Sequence, residues 1–104
     1  MVWIRCCSGH YLDNDKISAI HSDQATCQSD DVEIRGQSEG VEYLISRITT
    51  NLGDRTDADC ENEWDEKYQA ASTRIMEKVA CILDEIKSRD FYQIVDLNDE
   101  ISVT

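Results

Sequence analysis

Eight apolar side chains recur at helical spacing in the second half of this chain, and they restrict its fold more than any other feature. Trp64, Tyr68, Ala71, Ile75, Val79, Ile82, Leu83 and Ile86 fall on one stripe of a helix. Upstream, Thr56, Asp57, Ala58 and Asp59 follow the capping-box pattern, with aspartate in place of the usual glutamate. A helix over 56–89 is therefore expected. At about 1.5 Å per residue it makes a rod roughly 50 Å long. A domain of 104 residues is small for such a rod. Either the helix breaks near Ala70, Ala71, Ser72 and Thr73, or part of it projects. A projecting apolar stripe needs a second chain, so homodimerisation through this helix is one expectation.

The N-terminal third has a different period. Val2, Ile4 and Cys6 alternate with Trp3, Arg5 and Cys7, as in a half-buried strand. Ser8-Gly9 and Asp13-Asn14-Asp15 are turn signals, with a second strand beginning at His10 to Leu12. Lys16 to His21 places Ile17, Ala19 and His21 on one face. After a polar break at Ser22 to Gln24, a weak strand is expected around Ala25 to Gln28, and a further one where Val32 and Ile34 alternate with Glu33 and Arg35. Short connections favour antiparallel neighbours. Val41, Leu44, Ile45, Ile48 and Leu52 have helical spacing, with Ser38 as N-cap and Gly53 as the residue after the C-terminus, which predicts a helix over 38–53. Phe91 to Leu97 fits a final strand or a last helical turn, and 98–104 reads as a frayed tail. The expected fold is a single α+β domain over 1–104: an N-terminal antiparallel β-meander of three or four strands over 1–37, packed by two C-terminal helices, with an optional final short strand.

Charge carries the functional reading. The chain holds 22 acids against 10 bases, net −12. Asp54, Asp57, Asp59, Glu61, Glu63, Asp65 and Glu66 crowd into thirteen residues with Arg55 as the one base among them. The helix dipole favours acids near an N-terminus by about 0.3–1 kcal/mol each, but only within the first turn. Glu63 to Lys67 and Glu85 to Arg89 are well-oriented pairs four residues apart. A solvated, dipole-matched helix thus accounts for part of the run and leaves a costly surplus. On a helix these carboxylates would recur every ~3 Å of axis, close to the roughly 3.4 Å phosphate spacing of one DNA strand. Direct nucleic-acid or anionic-membrane binding is disfavoured. The expected partner is a basic protein, one that handles nucleic acid, captured by an acidic inhibitor through mimicry. Asp54, Asp57, Asp59, Glu61, Glu63, Asp65 and Glu66 are the candidate partner-binding residues, with Trp64 as an aromatic anchor if exposed and a core residue otherwise. Immunity proteins, antitoxins and phage anti-defence proteins often share this size and charge, a likeness of composition rather than of motif. The alternative is a non-catalytic assembly protein that dimerises through the long helix.

Other chemistries find little support. Asp57, Asp59, Glu61, Glu63 and Asp65 alternate like a calcium loop, but Asn62 stands where glycine is needed and Tyr68 where a bidentate glutamate is needed. No Cys-x-x-Cys pair suggests zinc. Cys6, Cys7 and Cys27 are nucleophile candidates and His10 and His21 base candidates, yet no catalytic signature accompanies them. His21 reads better as a satisfied, partly buried histidine. Neither cofactor, metal nor enzymatic activity is expected. Five unpatterned cysteines, Cys6, Cys7, Cys27, Cys60 and Cys81, with no apolar run of membrane-spanning length, suit free thiols in a reducing cytoplasm, a bacterial or phage-infected one being compatible but not named by the sequence.

Overall fold

The structure, a computed structural model, describes residues 2–26, 28–55, 61–89 and 91–102, and of residues 61, 62 and 102 the backbone alone. The alternation at the N terminus gives a strand, β1 (Val2–Arg5), which buries Val2 and Ile4 and turns Trp3 and Arg5 outward. A turn at Gly9, whose φ of 91° lies in the left-handed region glycine tolerates, leads into β2 (Tyr11–Asp13), antiparallel to β1 with Leu12 opposite Ile4. Asp13 caps a short 3-10 turn over Asn14–Lys16, its Oδ1 accepting from the Asp15 N–H at 3.0 Å.

The second sheet is a true meander of β3 (Ile17–Gln24), β4 (Asp31–Ser38) and β5 (Val41–Thr49), all antiparallel. Three expectations are corrected here. The polar segment Ser22 to Gln24 continues β3 instead of breaking it, because its backbone pairs with Val32 to Ile34. Ala25 to Gln28 supplies no strand among its described residues: Ser29 N–H bonds back to Thr26 O at 3.2 Å, which closes a turn. The helix expected over 38–53 is a hairpin partner strand. Ser38 faces Val41 across a two-residue turn, with φ of 54° at Glu39 and 82° at Gly40. Positive φ at both positions is the turn geometry that matches the strand twist. The apolar spacing that resembled a helix comes from a bulge: register shifts between Ile34/Ser46 and Arg35/Leu44, leaving Ile45 as the extra residue. Gly36 sits where a Cβ would lie 2.7 Å from Ile20 Cδ1 and 2.8 Å from Ile45 Cδ1, so the sheet closes over a missing side chain.

α1 (Glu61–Lys87) runs unbroken for 27 residues, about 40 Å. The residues 56–60 expected at its start lie outside the described ones. It neither breaks at Ala70–Thr73 nor projects. Trp64, Tyr68, Ala71, Ile75, Val79 and Ile86 are buried. They meet Ile4, Leu12, Val32, Ile34, Ile45 and Val95 in one core. The molecule is elongated, 49 × 28 × 19 Å, so the helix fits along its longest axis. Six of the eight stripe residues are thus buried within the chain, and Ile82 and Leu83 are half-buried.

Beyond α1, β6 (Gln93–Val95) realises the optional final strand. It pairs parallel to β1, not with the meander, with Val95 opposite Ile4. The expected tail contains α2 (Leu97–Ser102). Asp96 Oδ1 accepts the Asn98 N–H at 2.9 Å as a cap, and Leu97 is fully buried. The two sheets, ordered β2-β1-β6 and β3-β4-β5, meet where Cys7 N–H donates to Ile45 O at 3.0 Å. The fold is α+β, strands mainly N-terminal and helices C-terminal. No described helix is long and apolar enough to cross a membrane.

Candidate protein-binding surface

Three segments converge at the head of α1. Trp64, the proposed aromatic anchor, is only 7% exposed. Its ring stacks on Tyr68 with centroids 5.3 Å apart and planes 12° apart. Its Nε1–H donates to Gly53 O at 3.2 Å, and the Tyr68 hydroxyl donates to Asp31 O at 3.0 Å. A partner cannot reach Trp64 as an exposed hot spot. Its apolar face starts the core stripe, and its polar edge ties the β5–α1 loop to the helix. That loop is tied in turn to the β3–β4 loop. Asp30 Oδ2 accepts the Gly53 N–H at 2.8 Å, Asp54 Oδ1 accepts the Asp30 N–H at 3.3 Å, and Arg55 N–H donates to Gln28 O at 2.7 Å.

These bonds fasten the segments that carry Asp30, Asp31 and Asp54 to the helix turn that carries Glu63, Asp65 and Glu66, with Arg55 and Lys67 as cations of the same segments. Burial pushes the Tyr68 hydroxyl up from its ordinary value, and Asp31, Asp30, Glu33 and Asp23 add to it through their charge. That single side chain registers acids contributed by two strands and a loop. Glu63, Asp65 and Glu66 are exposed. Two of them have partners: Glu63 reaches Lys67 at 3.2 Å and Asp65 reaches Arg55 at 3.8 Å. Exposed pairs of this kind contribute about 0–1 kcal/mol and leave the surface field largely in place. Asp57 and Asp59 lie outside the described residues, and of Glu61 only the backbone is described.

The geometry differs from the expected helical ridge. Asp54 and Arg55 belong to a loop, and the described part of the helix runs from Glu61. Asp54 is therefore not the first member of a helical row of carboxylates spaced every ~3 Å. What the structure shows is three acid-bearing segments fastened together at this end of the molecule. Asp30 and Asp31 were missed by sequence reasoning, because only the tertiary fold carries the β3–β4 loop to the helix head.

The remaining chemistry-bearing residues are scattered. Burial, followed by the neighbouring Cys7, pushes the Cys6 thiol up to about 11, so it stays protonated near neutrality and is a poor nucleophile. Cys7 and Cys81 are exposed free thiols; Cys27 and Cys60 lie outside the described residues. His10 Nδ1 is 3.1 Å from Ser8 Oγ, and its ring tilts against Tyr43. His21 is not the partly buried histidine expected on the face of Ile17 and Ala19. A bulge between Ser18 and His21, with Ala19 at φ 52°, turns it to the solvent face, 3.0 Å from Glu42 and 3.5 Å from Asp23. The outer face of the first sheet carries a shallow apolar hollow lined by Trp3, Tyr11, Tyr92 and Ile94. No family model, no curated protein and no solved structure matches the chain.

Proposed function

We propose that this protein is a non-catalytic inhibitor that captures a basic, nucleic-acid-handling protein with the acidic end built around the head of α1. The observation that carries the reading is the fastening of Asp30, Asp31 and Asp54 onto the same end as Glu63, Asp65 and Glu66 by the Trp64 and Tyr68 hydrogen bonds. Like charges gathered this way destabilise the free protein unless a cationic surface uses them. The described loop residues around Asp30 and Gly53 are fastened to the core, so little ordering cost falls on them in binding. A basic groove that normally receives phosphates presents complementary charge, and long-range attraction speeds encounter.

Affinity capture from the native host's lysate tests the proposal, with a Glu63→Lys/Glu66→Lys variant as control. Both side chains are exposed, so the variant keeps the fold. The expected result is a basic nucleic-acid-binding protein retained at low salt, with affinity for the variant lower by about tenfold or more. Retention that is indifferent to the reversal and to molar salt overturns the electrostatic reading.

A further inference from the structure

Bordering the acidic end at Thr49 and Thr50, α1, α2 and the outer edge of β5 enclose an open groove of about 560 Å³. Its floor is apolar, formed by Ile48, Ala71, Ile75 and Ile101, and its α1 wall carries Arg74 and Lys78. Among the described residues no aspartate or glutamate lines it, in a chain whose acids outnumber bases 22 to 10. Glu77 on α1 and Asp99 and Glu100 on α2 do not reach its lining. The α1 acids that form ion pairs, Asp65, Glu63 and Glu85, do so with Arg55, Lys67 and Arg89. Arg74 and Lys78 form none with a described residue, and both are exposed.

The opposite wall adds donors. The Arg47 carbonyl accepts from Asn98 Nδ2 at 3.2 Å, so it points away from β4. Thr50 N–H donates to Asp30 O at 3.1 Å, so it points toward the β4 side. In an antiparallel strand the N–H and C=O of one residue share a side, and sides alternate. The N–H groups of Arg47 and Thr49 therefore face the outer edge, where both residues line the groove. The Arg47 guanidinium is engaged elsewhere, 2.7 Å from Glu33.

We propose that this groove is a binding site for a small organic phosphate whose apolar body lies on the isoleucine floor. Two cations four residues apart stand about 6 Å apart along the helix. A tetrahedral dianion can accept from one or both of them and from the strand-edge N–H groups at once. A planar carboxylate offers two oxygens in one plane and satisfies fewer of these donors. The volume suits a small ligand, since such sites span roughly 300–1,000 Å³. The acidic end does not forbid it. Asp30 of that end touches the rim, but its Oδ2 is turned to the Thr49 hydroxyl at 3.4 Å and the Gly53 N–H at 2.8 Å; Arg74, on the opposite wall, lies eight residues beyond Glu66, about 12 Å of axis, more than the ~8 Å screening length at physiological salt.

The test is titration of the intact protein with phenyl phosphate, benzoate and phenol, read by backbone amide chemical shifts. Phenyl phosphate is expected to shift the Arg47 and Thr49 amides saturably. The Arg74→Gln/Lys78→Gln variant should bind it about tenfold more weakly, while Lys87→Gln, an exposed cation outside the groove, should bind as the parent does. Benzoate binding as tightly as phenyl phosphate overturns the phosphate assignment. Phenol binding as tightly overturns the anion site altogether, and so does the absence of saturable shifts with phenyl phosphate. The readout is independent of partner capture at the acidic end, so the two proposals fail separately.

Discussion

Glu33 is the most constrained charge among the described residues. Its side chain is only 9% exposed and sits between two guanidiniums, Arg47 at 2.7 Å and Arg35 at 3.1 Å. The Arg47 hydrogen bond lowers the Glu33 carboxyl below the ordinary glutamate value; burial opposes this, and Arg35 adds to the lowering. A depressed folded value means that the ionised form is stabilised by folding. The contribution is complete above the unfolded glutamate titration, near pH ~4.3, and is lost as pH falls through the lower folded value. Glu33→Gln should therefore have a lower urea midpoint than the parent at neutral pH, with the difference closing from about pH 4 downward. A difference that stays constant across that range assigns the effect of Glu33 to shape and not to charge. By contrast, Asp65 is half-exposed and 3.8 Å from Arg55, a geometry that solvent screens strongly. Trp64 shows how one residue can be read from sequence. Its place at the start of an apolar stripe favours the core, and the structure puts it there.

At the scale of elements, α1 was legible because its period persists for many turns, and β1 because strict alternation fits one register only. β5 was not. Its bulge at Ile45 replaces the period of two by a local three-and-four spacing, which Val41, Leu44, Ile45 and Ile48 share with an amphipathic helix. The competing signals were Tyr43, Thr49 and the β-branched isoleucines, together with Glu39-Gly40, a two-residue turn in an unusual dress. Asparagine or aspartate normally precedes glycine in this turn, because a short polar side chain tolerates positive φ. Glu39 occupies φ 54° without that advantage. Glu39→Asn should raise stability by about 0.5–1 kcal/mol. The substitution removes the Lys16–Glu39 pair, 3.3 Å apart with both side chains largely exposed. That loss is about 0–1 kcal/mol for an exposed pair and falls at the low end with both partners this open to solvent, so the turn preference is expected to outweigh it. Urea unfolding of the two proteins measures it; a lower midpoint for Glu39→Asn shows that the Lys16 contact matters more than the backbone. α2 escaped notice because Asp96 and Leu97 give too short a signal, and its stability comes from burying Leu97, which the sequence alone cannot reveal.

Across the whole molecule, the seven-acid run announced a charged end, but not its shape. Sequence proximity suggested a linear ridge, whereas long-range hydrogen bonds of Asp30, Gly53 and Arg55 make a compact pole from parts 24 residues apart. Such a pole should strain the free protein. Glu66 states the case most simply: it is exposed, it makes no ion pair with a described residue, and Glu63 lies one turn away on the same face of α1. Like charges at this spacing destabilise a helix by about 0.2–0.5 kcal/mol. Glu66 sits past the first turn, where the helix dipole no longer offsets that repulsion. Glu66→Gln is therefore expected to raise Tm by about 1–3 °C at low ionic strength. The gain should vanish in molar salt, where the screening length is about 3 Å. The same substitution should weaken capture of a basic partner, because the charge removed is one the partner would pair. Stability and capture moving in opposite directions is the signature of an end kept acidic for binding. If Glu66→Gln leaves Tm unchanged at low salt, the pole carries no strain, and its acids serve as a solvated surface only.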